Sequence, residues 1–366
     1  MERIKRIATA ALFLLILCGF SVSAIFLPDQ DISAAERRKL QQVPELSVDA
    51  VVSKEYMTDL EKYLQDQFPL REDFRRIKAV FRKNILHQSD INGIYVTDSG
   101  SAVKIEKELK TDQVLFCANK INALTERFLQ DCHVYAAVIP DKNYYAAEPN
   151  ARPHLNYDKM MSTFTKQLKN VTYIDLFDTL TLDDYYLSDA HWKQDHLQKP
   201  RDTIATAMGL SLPPLSSYQK ETLFPFNGVY RGQSALPVKQ DNLTFLTNPA
   251  TASATVTSEE LKGPLSVYAP DKFTNNDAYD VFLHGPQAIL TIENPKASTD
   301  RELYIFRDSF GSSFTPLMID GYRKIIMIDL RYVTTDYMST LVSFKPGQDA
   351  LFLYSVGLVN SGMLLR

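Results

Sequence analysis

The chain has 366 residues, 45% of them hydrophobic and 23% charged, with a formal net charge of −4. This is enough for one large domain or two small ones. The acidic balance argues against a nucleic-acid binder, which needs a basic face to neutralise phosphates.

The 13 glycines are scattered and form no phosphate-cradling loop, which disfavours a nucleotide enzyme. The 19 Tyr and 20 Phe would suit carbohydrate platforms, although core packing accounts for most of them. Cys18 lies in an apolar run, and Cys117 and Cys132 bracket a predicted helix. Their spacing suggests no metal, and two buried thiols are the expectation over a disulfide.

Residues 1–27 read as a membrane anchor or signal sequence. A basic head, Arg3, Lys5 and Arg6, precedes an uncharged run from Ile7 to Leu27. That run of about 21 residues can span a bilayer as a helix. Val22-Ser23-Ala24 offers a signal-peptidase site. The apolar run continues past it, which favours an uncleaved anchor. Arg37, Arg38 and Lys39 match the basic head in charge, so orientation rests on the short head staying inside, with the chain after Pro28 outside. Residues 28–88 read as an extended linker and a helical arm. One helix is expected over Tyr56–Phe68 and another, with Phe74, Ile77, Phe81 and Ile85 on one face, over Phe74–Leu86. Pro69 separates them.

Residues 89–366 read as the main domain. Ile91–Val96 is a predicted strand, Asp112–Phe128 an amphipathic helix and Val134–Ile139 a buried strand. After that strand come Pro140-Asp141-Lys142-Asn143-Tyr144, which either face a ligand crevice or form a solvated loop. A helix over Tyr157–Leu168 and a strand over Val171–Leu176 continue the alternation. The pattern predicts a mainly parallel sheet covered on both faces. A helix follows from Gln194 to Met208. From about 210 to 301 the turn residues multiply, as at Pro213-Pro214 and Asn227-Gly228, and the stretch reads as a β-rich insertion. The α/β pattern resumes with strands over Leu303–Phe306, Lys324–Leu330 and Ala350–Ser355, and a helix near Asp336–Leu341.

Two stretches carry chemistry. Strand Leu303–Phe306 runs into Arg307-Asp308-Ser309 and then a small-residue helix start. A serine on such a turn exposes its hydroxyl at the carboxyl end of a sheet, where the next amides can hold an oxyanion. The same sequence also serves as a plain helix cap. The second stretch is Asp189-Ala190-His191-Trp192. Asp189 can fix one imidazole nitrogen of His191, leaving the other to take a proton from a nucleophile. Trp192 can wall the site. Alternatively Asp189 caps the following helix while His191 and Trp192 pack beneath it. His196 reads as a surface residue. A metal site from Asp189, His191, Asp195 and His196 is the weaker reading, because no recognised ligand spacing is present.

These stretches, Asp189-Ala190-His191-Trp192 before Phe306-Arg307-Asp308-Ser309-Phe310-Gly311-Ser312-Ser313, resemble the DHHW-type proteins, relatives of the alginate O-acetylation proteins J and X. Ile139 to Tyr144, Gly232-Gln233-Ser234-Ala235-Leu236-Pro237 and Asp329-Leu330-Arg331-Tyr332 also look like that family. Ala190 departs from it, standing where the family name implies a histidine. The resemblance implies an SGNH-hydrolase-like three-layer α/β sandwich in which the Asp-Xaa-His element precedes the nucleophile, a circularly permuted order. It implies extracytoplasmic acetyl transfer to a cell-surface or secreted polysaccharide, with an acetylesterase or a non-catalytic polysaccharide-binding scaffold as alternatives. Ser309 would be the nucleophile, His191 the base and Asp189 its orienter. Arg331, Tyr332, Asn360, Asp141, Lys142, Trp192 and Gln233 are oxyanion or substrate candidates. No cofactor or metal is expected. A multi-pass membrane acyltransferase is implied as donor partner.

Overall fold

The computed structural model describes residues 2–274, 277–362 and 365. The chain divides into two compact units. The first comprises Met1–Asn92 and the short segment Arg231–Pro237; the second comprises Gly93–Tyr230 and Val238–Arg366.

The first unit opens with a helix over Glu2–Phe26, apolar and long enough to cross a membrane. Helices Glu55–Asp66 and Arg71–Asn84 form the arm. Pro69 falls in the break between them, where Leu70 adopts a left-handed conformation. The arm is held by charge. Arg38 makes a two-pronged pair with Asp66 at 2.6 and 2.8 Å. Arg71 and Arg75 both reach Glu36. Segment 231–237 joins this unit through Arg75, which donates to the Gly232 carbonyl at 2.9 Å.

The second unit is built on a seven-stranded sheet. In chain order its strands are β1 His133–Ile139, β2 Thr172–Ile174, β3 Thr255–Thr257, β4 Ile289–Glu293, β5 Glu302–Arg307, β6 Lys324–Ile328 and β7 Asp349–Ser355. Their spatial order is β2-β1-β7-β5-β6-β4-β3. The first five in that order run parallel, and β4 and β3 add antiparallel at one edge. The central strands are apolar between their ends because both faces are covered, as parallel sheets require. Leu303, Ile305, Leu351 and Leu353 point into one core with Trp192, Phe310 and Phe314. Tyr304, Phe306, Phe352 and Tyr354 point into the other. That second core is closed by helices Thr111–Phe128 and Tyr157–Gln167, through Ile121, Leu124, Met160 and Phe164. The result is the mainly parallel, three-layer α/β arrangement expected from the sequence.

Several local readings change. The stretch 210–301 splits. One hairpin, Gln219–Phe226 with Asp241–Thr247, forms its own two-stranded sheet. Its later strands, β3 and β4, instead extend the main sheet, because Val256, Leu290 and Ile292 present an apolar row to the core. The helix expected from Gln194 begins as a 3-10 turn, Gln194–His196, before the helix Gln198–Ala207. Cys117 is a buried free thiol, whereas Cys132 is only half-buried.

Candidate active site

The carboxyl ends of the parallel strands collect the chemistry. Strand β5 ends at Arg307, and Ser309 opens a short helix over Phe310–Phe314. Ser309 sits in ordinary helical backbone geometry, φ −60° and ψ −25°, and is half-buried. The turn is pinned by Asp308. One of its carboxylate oxygens accepts from the Phe310 amide at 3.1 Å and the other from the Ser355 amide at the end of β7, at 2.8 Å. Gly311 is required by close packing rather than by an unusual backbone angle. A Cβ there would lie 2.7 Å from the Arg307 Cβ. Arg307 itself is buried beneath the turn, 3.4 Å from Asp329.

Asp189 and His191 lie on a tight loop. Tyr185 and Trp192 pair across it as an antiparallel bridge, and the Tyr186 amide donates to the His191 carbonyl at 3.1 Å. His191 Nδ1 is 2.6 Å from Asp189 Oδ1, and His191 Nε2 is 2.8 Å from Ser309 Oγ. The other carboxylate oxygen of Asp189 accepts from the Val229 amide at 2.8 Å. The carboxylate is fully buried. Hydrogen bonds on both its oxygens compensate that burial. The imidazole therefore bridges a carboxylate that orients it and a hydroxyl that it can deprotonate.

A second ring of contacts holds this loop. Lys142, buried just after β1, donates to the carbonyls of Tyr186 at 2.7 Å, Leu187 at 3.3 Å and Asp189 at 3.1 Å. Burial lowers its pKa to about 7, opposed by the charges of Asp189 and Asp241. Asp241 accepts from the amides of Leu187 and Ser188, each at 2.8 Å. Gly228 passes so close that a Cβ would fall 2.4 Å from the Asp189 Cβ and from the Ser188 carbonyl.

The imidazole is walled by aromatic rings. Tyr279 stacks on it at 4.0 Å and 15°, and Phe310 lies against it at 4.8 Å. The Tyr279 hydroxyl donates to Ser313 Oγ at 2.8 Å, and Trp192 Nε1 donates to the same oxygen at 2.9 Å. Ser313 thus joins the ring that covers His191 to the indole beside it. Nothing near Tyr279 in the sequence marks it, because only the fold brings it to the site. Ser313 lies within the serine motif, but its role as an anchor depends on the same long-range packing.

The other side chains singled out from sequence are committed elsewhere. Asp141 caps the helix Lys142–Ala146, accepting from the Tyr144 amide at 2.9 Å and the Tyr157 hydroxyl at 2.7 Å. Burial raises its pKa to about 6 against those bonds. Segment 140–144 is not a solvated loop, since Lys142 and Asn143 are buried. Arg331 makes a two-pronged pair with Asp329 at 2.8 and 2.6 Å, and Tyr332 beside it is exposed. The Asn360 amide holds segment 108–110, bonding the Lys110 amide and the Glu108 carbonyl, each at 2.9 Å. Gln233 belongs to the first unit, where its carbonyl accepts from Asn92 at 2.8 Å. Asp195 pairs with Lys220 and His196 with Asp184, each at 3.1 Å.

No protein-family model matches the sequence, and no curated protein matches it. Among solved structures, the chain is similar to a DHHW family protein from Eubacterium siraeum, at 20% identity, covering 75% of this chain and 94% of that one, with a TM-score of 0.62. It is also similar to PatB1 of Bacillus cereus, at 18% identity, covering 74% of this chain and 98% of that one, with a TM-score of 0.59. PatB1 with a sulfonyl adduct gives 18% identity, 74% and 96% coverage and a TM-score of 0.58. The likeness is one of architecture: the chain has the fold of the DHHW family protein and of PatB1, as its motifs led one to expect.

Proposed function

We propose that the chain is an extracytoplasmic O-acetyltransferase that moves acetyl groups onto a cell-surface or secreted polysaccharide through Ser309, His191 and Asp189. One observation carries the reading: a single imidazole lies 2.6 Å from a buried carboxylate and 2.8 Å from a half-buried serine hydroxyl at the end of a central strand. His191 Nε2 takes the Ser309 proton as Oγ attacks the acetyl carbonyl of the donor, and Asp189 stabilises the imidazolium. The Ser309 amide, at the start of its short helix, meets the oxyanion. When the tetrahedral intermediate collapses, the Nε2 proton passes to the leaving group and acetyl remains on Ser309. A sugar hydroxyl then gives its proton to His191 and attacks. The acetyl–Oγ bond breaks, and Ser309 recovers its proton.

The neighbour solved with a sulfonyl adduct, PatB1, fits an activated nucleophile in this fold. Transfer and hydrolysis use the same residues and differ in whether water reaches the acetyl-serine. Tyr279 and Phe310 line the imidazole with apolar ring faces, which favours transfer. The helix Glu2–Phe26 would hold the protein at the membrane, where a multi-pass acyltransferase could supply acetyl groups. The test incubates the full chain with an activated acetyl ester and candidate glycans. Acetylated glycan identifies a transferase. Free acetate alone identifies an acetylesterase. Glycan binding without turnover identifies a non-catalytic scaffold.

A further inference from the structure

The helix Arg71–Asn84 buries its Ala79 side within its own unit and leaves an apolar row outside. Phe74, Ile77 and Phe81, with Ile85 just past its end, follow helical spacing and are 44 to 65% exposed. Such a row on a water-soluble surface is costly and marks a contact site. The helix also carries six basic residues, Arg71, Arg75, Arg76, Lys78, Arg82 and Lys83, against two acidic ones, Glu72 and Asp73. It is a basic element in a chain whose net charge is −4. Lys78 and Lys83 are exposed and make no ion pair among the described residues.

The contacts of the helix fix its depth. Phe20, inside the helix Glu2–Phe26, stacks on Phe68 at 5.3 Å and meets Phe74 edge-on at 5.6 Å. The uncharged run ends at Leu27. Phe20 therefore lies roughly 10 Å inside the end of a membrane span, at 1.5 Å rise per residue. The two rings that touch it are carried to that level. An interfacial amphipathic helix buries its apolar face to about 5–10 Å, with Lys and Arg toward the headgroups. The bonds just beyond the anchor keep this arrangement short and defined. The Tyr63 hydroxyl donates to Asp29 at 3.1 Å, and Gln67 exchanges hydrogen bonds with Gln30.

We infer that the helix Arg71–Asn84 lies in the surface of the bilayer, with Phe74, Ile77, Phe81 and Ile85 in the acyl layer and Lys78 and Lys83 toward anionic headgroups. It makes a second, in-plane attachment beside the spanning helix. The first unit is then held at the membrane at two points rather than one. The inference rests on Glu2–Phe26 being kept in the chain, and the full chain is the form to test.

The probe is the full chain in nanodiscs of anionic and zwitterionic lipid with no other protein present, the lipids carrying bromine on the acyl chains. Ile77→Trp and Phe81→Trp place reporters on the row. Phe116→Trp places one on an exposed face of the second unit. Trp192, buried in the second unit, is the internal reference for that unit's fold in each variant. Brominated lipid should quench the added emission at positions 77 and 81 roughly twofold or more, and leave position 116 unchanged. Lys78→Glu with Lys83→Glu should reduce the quenching in anionic discs. An unquenched, water-exposed signal at 77 and 81 in pure lipid, with Trp192 unchanged, would overturn the inference and leave the row to a protein partner. Quenching indifferent to both headgroup charge and the lysine changes would overturn the electrostatic half of it.

Discussion

Replacing Asp189 by Asn removes one charge and almost no volume, so its effect isolates the orienting carboxylate. One carboxylate oxygen bonds His191 Nδ1 and the His191 amide, and the other bonds the Val229 amide. If the Asn oxygen takes the place that bonds the Val229 amide, its NH2 faces Nδ1 and the His191 amide. That makes Nδ1 an acceptor and puts the ring proton on Nε2, where it cannot take a proton from Ser309. If the side chain flips to restore Nδ1–H, its NH2 meets the Val229 N–H and leaves a buried donor unmet, at about 1–3 kcal/mol. Either way the charge-assisted bond to the imidazolium is lost, at about 1.5–3 kcal/mol more. Together these correspond to roughly 10²- to 10⁴-fold in acylation rate at about 1.4 kcal/mol per decade. The assay is the pre-steady-state burst of p-nitrophenol from p-nitrophenyl acetate, with thermal unfolding run in parallel. A loss below about tenfold in a variant that remains folded would refute the orienting role.

Other outcomes follow from the same geometry. Tyr279→Phe keeps the ring on His191 but empties one bond to Ser313, so it should cost about 1 kcal/mol of stability and only a few-fold in the burst. Tyr279→Leu removes the stacked face and should slow the burst at least about tenfold, with a changed pH profile that a purely structural loss would not give. Gly228→Ala drives a Cβ into the backbone of Ser188 and the Cβ of Asp189. It should lower stability by about 1–3 kcal/mol and the burst by more than tenfold, measured by Tm and stopped flow. Lys142 has a folded pKa near 7, well below its ordinary value of 10.5. Below about pH 7 both states hold the proton and the burial cost is fully felt. Between about 7 and 10.5 the unfolded state binds more protons, so stability should rise with pH by up to about 1.4 kcal/mol per unit. Lys142→Met should be less stable overall, with that rise removed in denaturant titrations. An identical slope in the variant would contradict the assignment.

How much of this was legible depends on how local each signal is. The strands around Leu303, Ala350 and Val134 were readable because apolar runs between turn residues are encoded within a few positions. The Ser309 turn and the Asp189–His191 loop were readable for the same reason. Residues 255–257 and 289–293 were harder to place, because a short strand says nothing of which sheet it will join. Ala102–Lys104, the partner of Ile94–Val96, is too short and polar at its end to announce itself. Lys142 stood out as a polar residue after a strand, but its three carbonyl partners lie on a distant loop. Tyr279 and Asp241 gave no sign at all, since their importance comes from packing against residues far away in the chain. Asn360 and Asp141 were plausible by position, and tertiary hydrogen bonds use them as ties.

The central claim is that Ser309 is a nucleophile driven by His191. The most direct test treats the full chain with an activated acetyl ester, quenches it and maps the adduct by peptide mass spectrometry, beside Ser309→Ala and His191→Ala. Acetyl on Ser309 that disappears in both variants is the predicted result. A chain that stays unmodified across several donors, or is labelled at Ser309 equally well without His191, would contradict it.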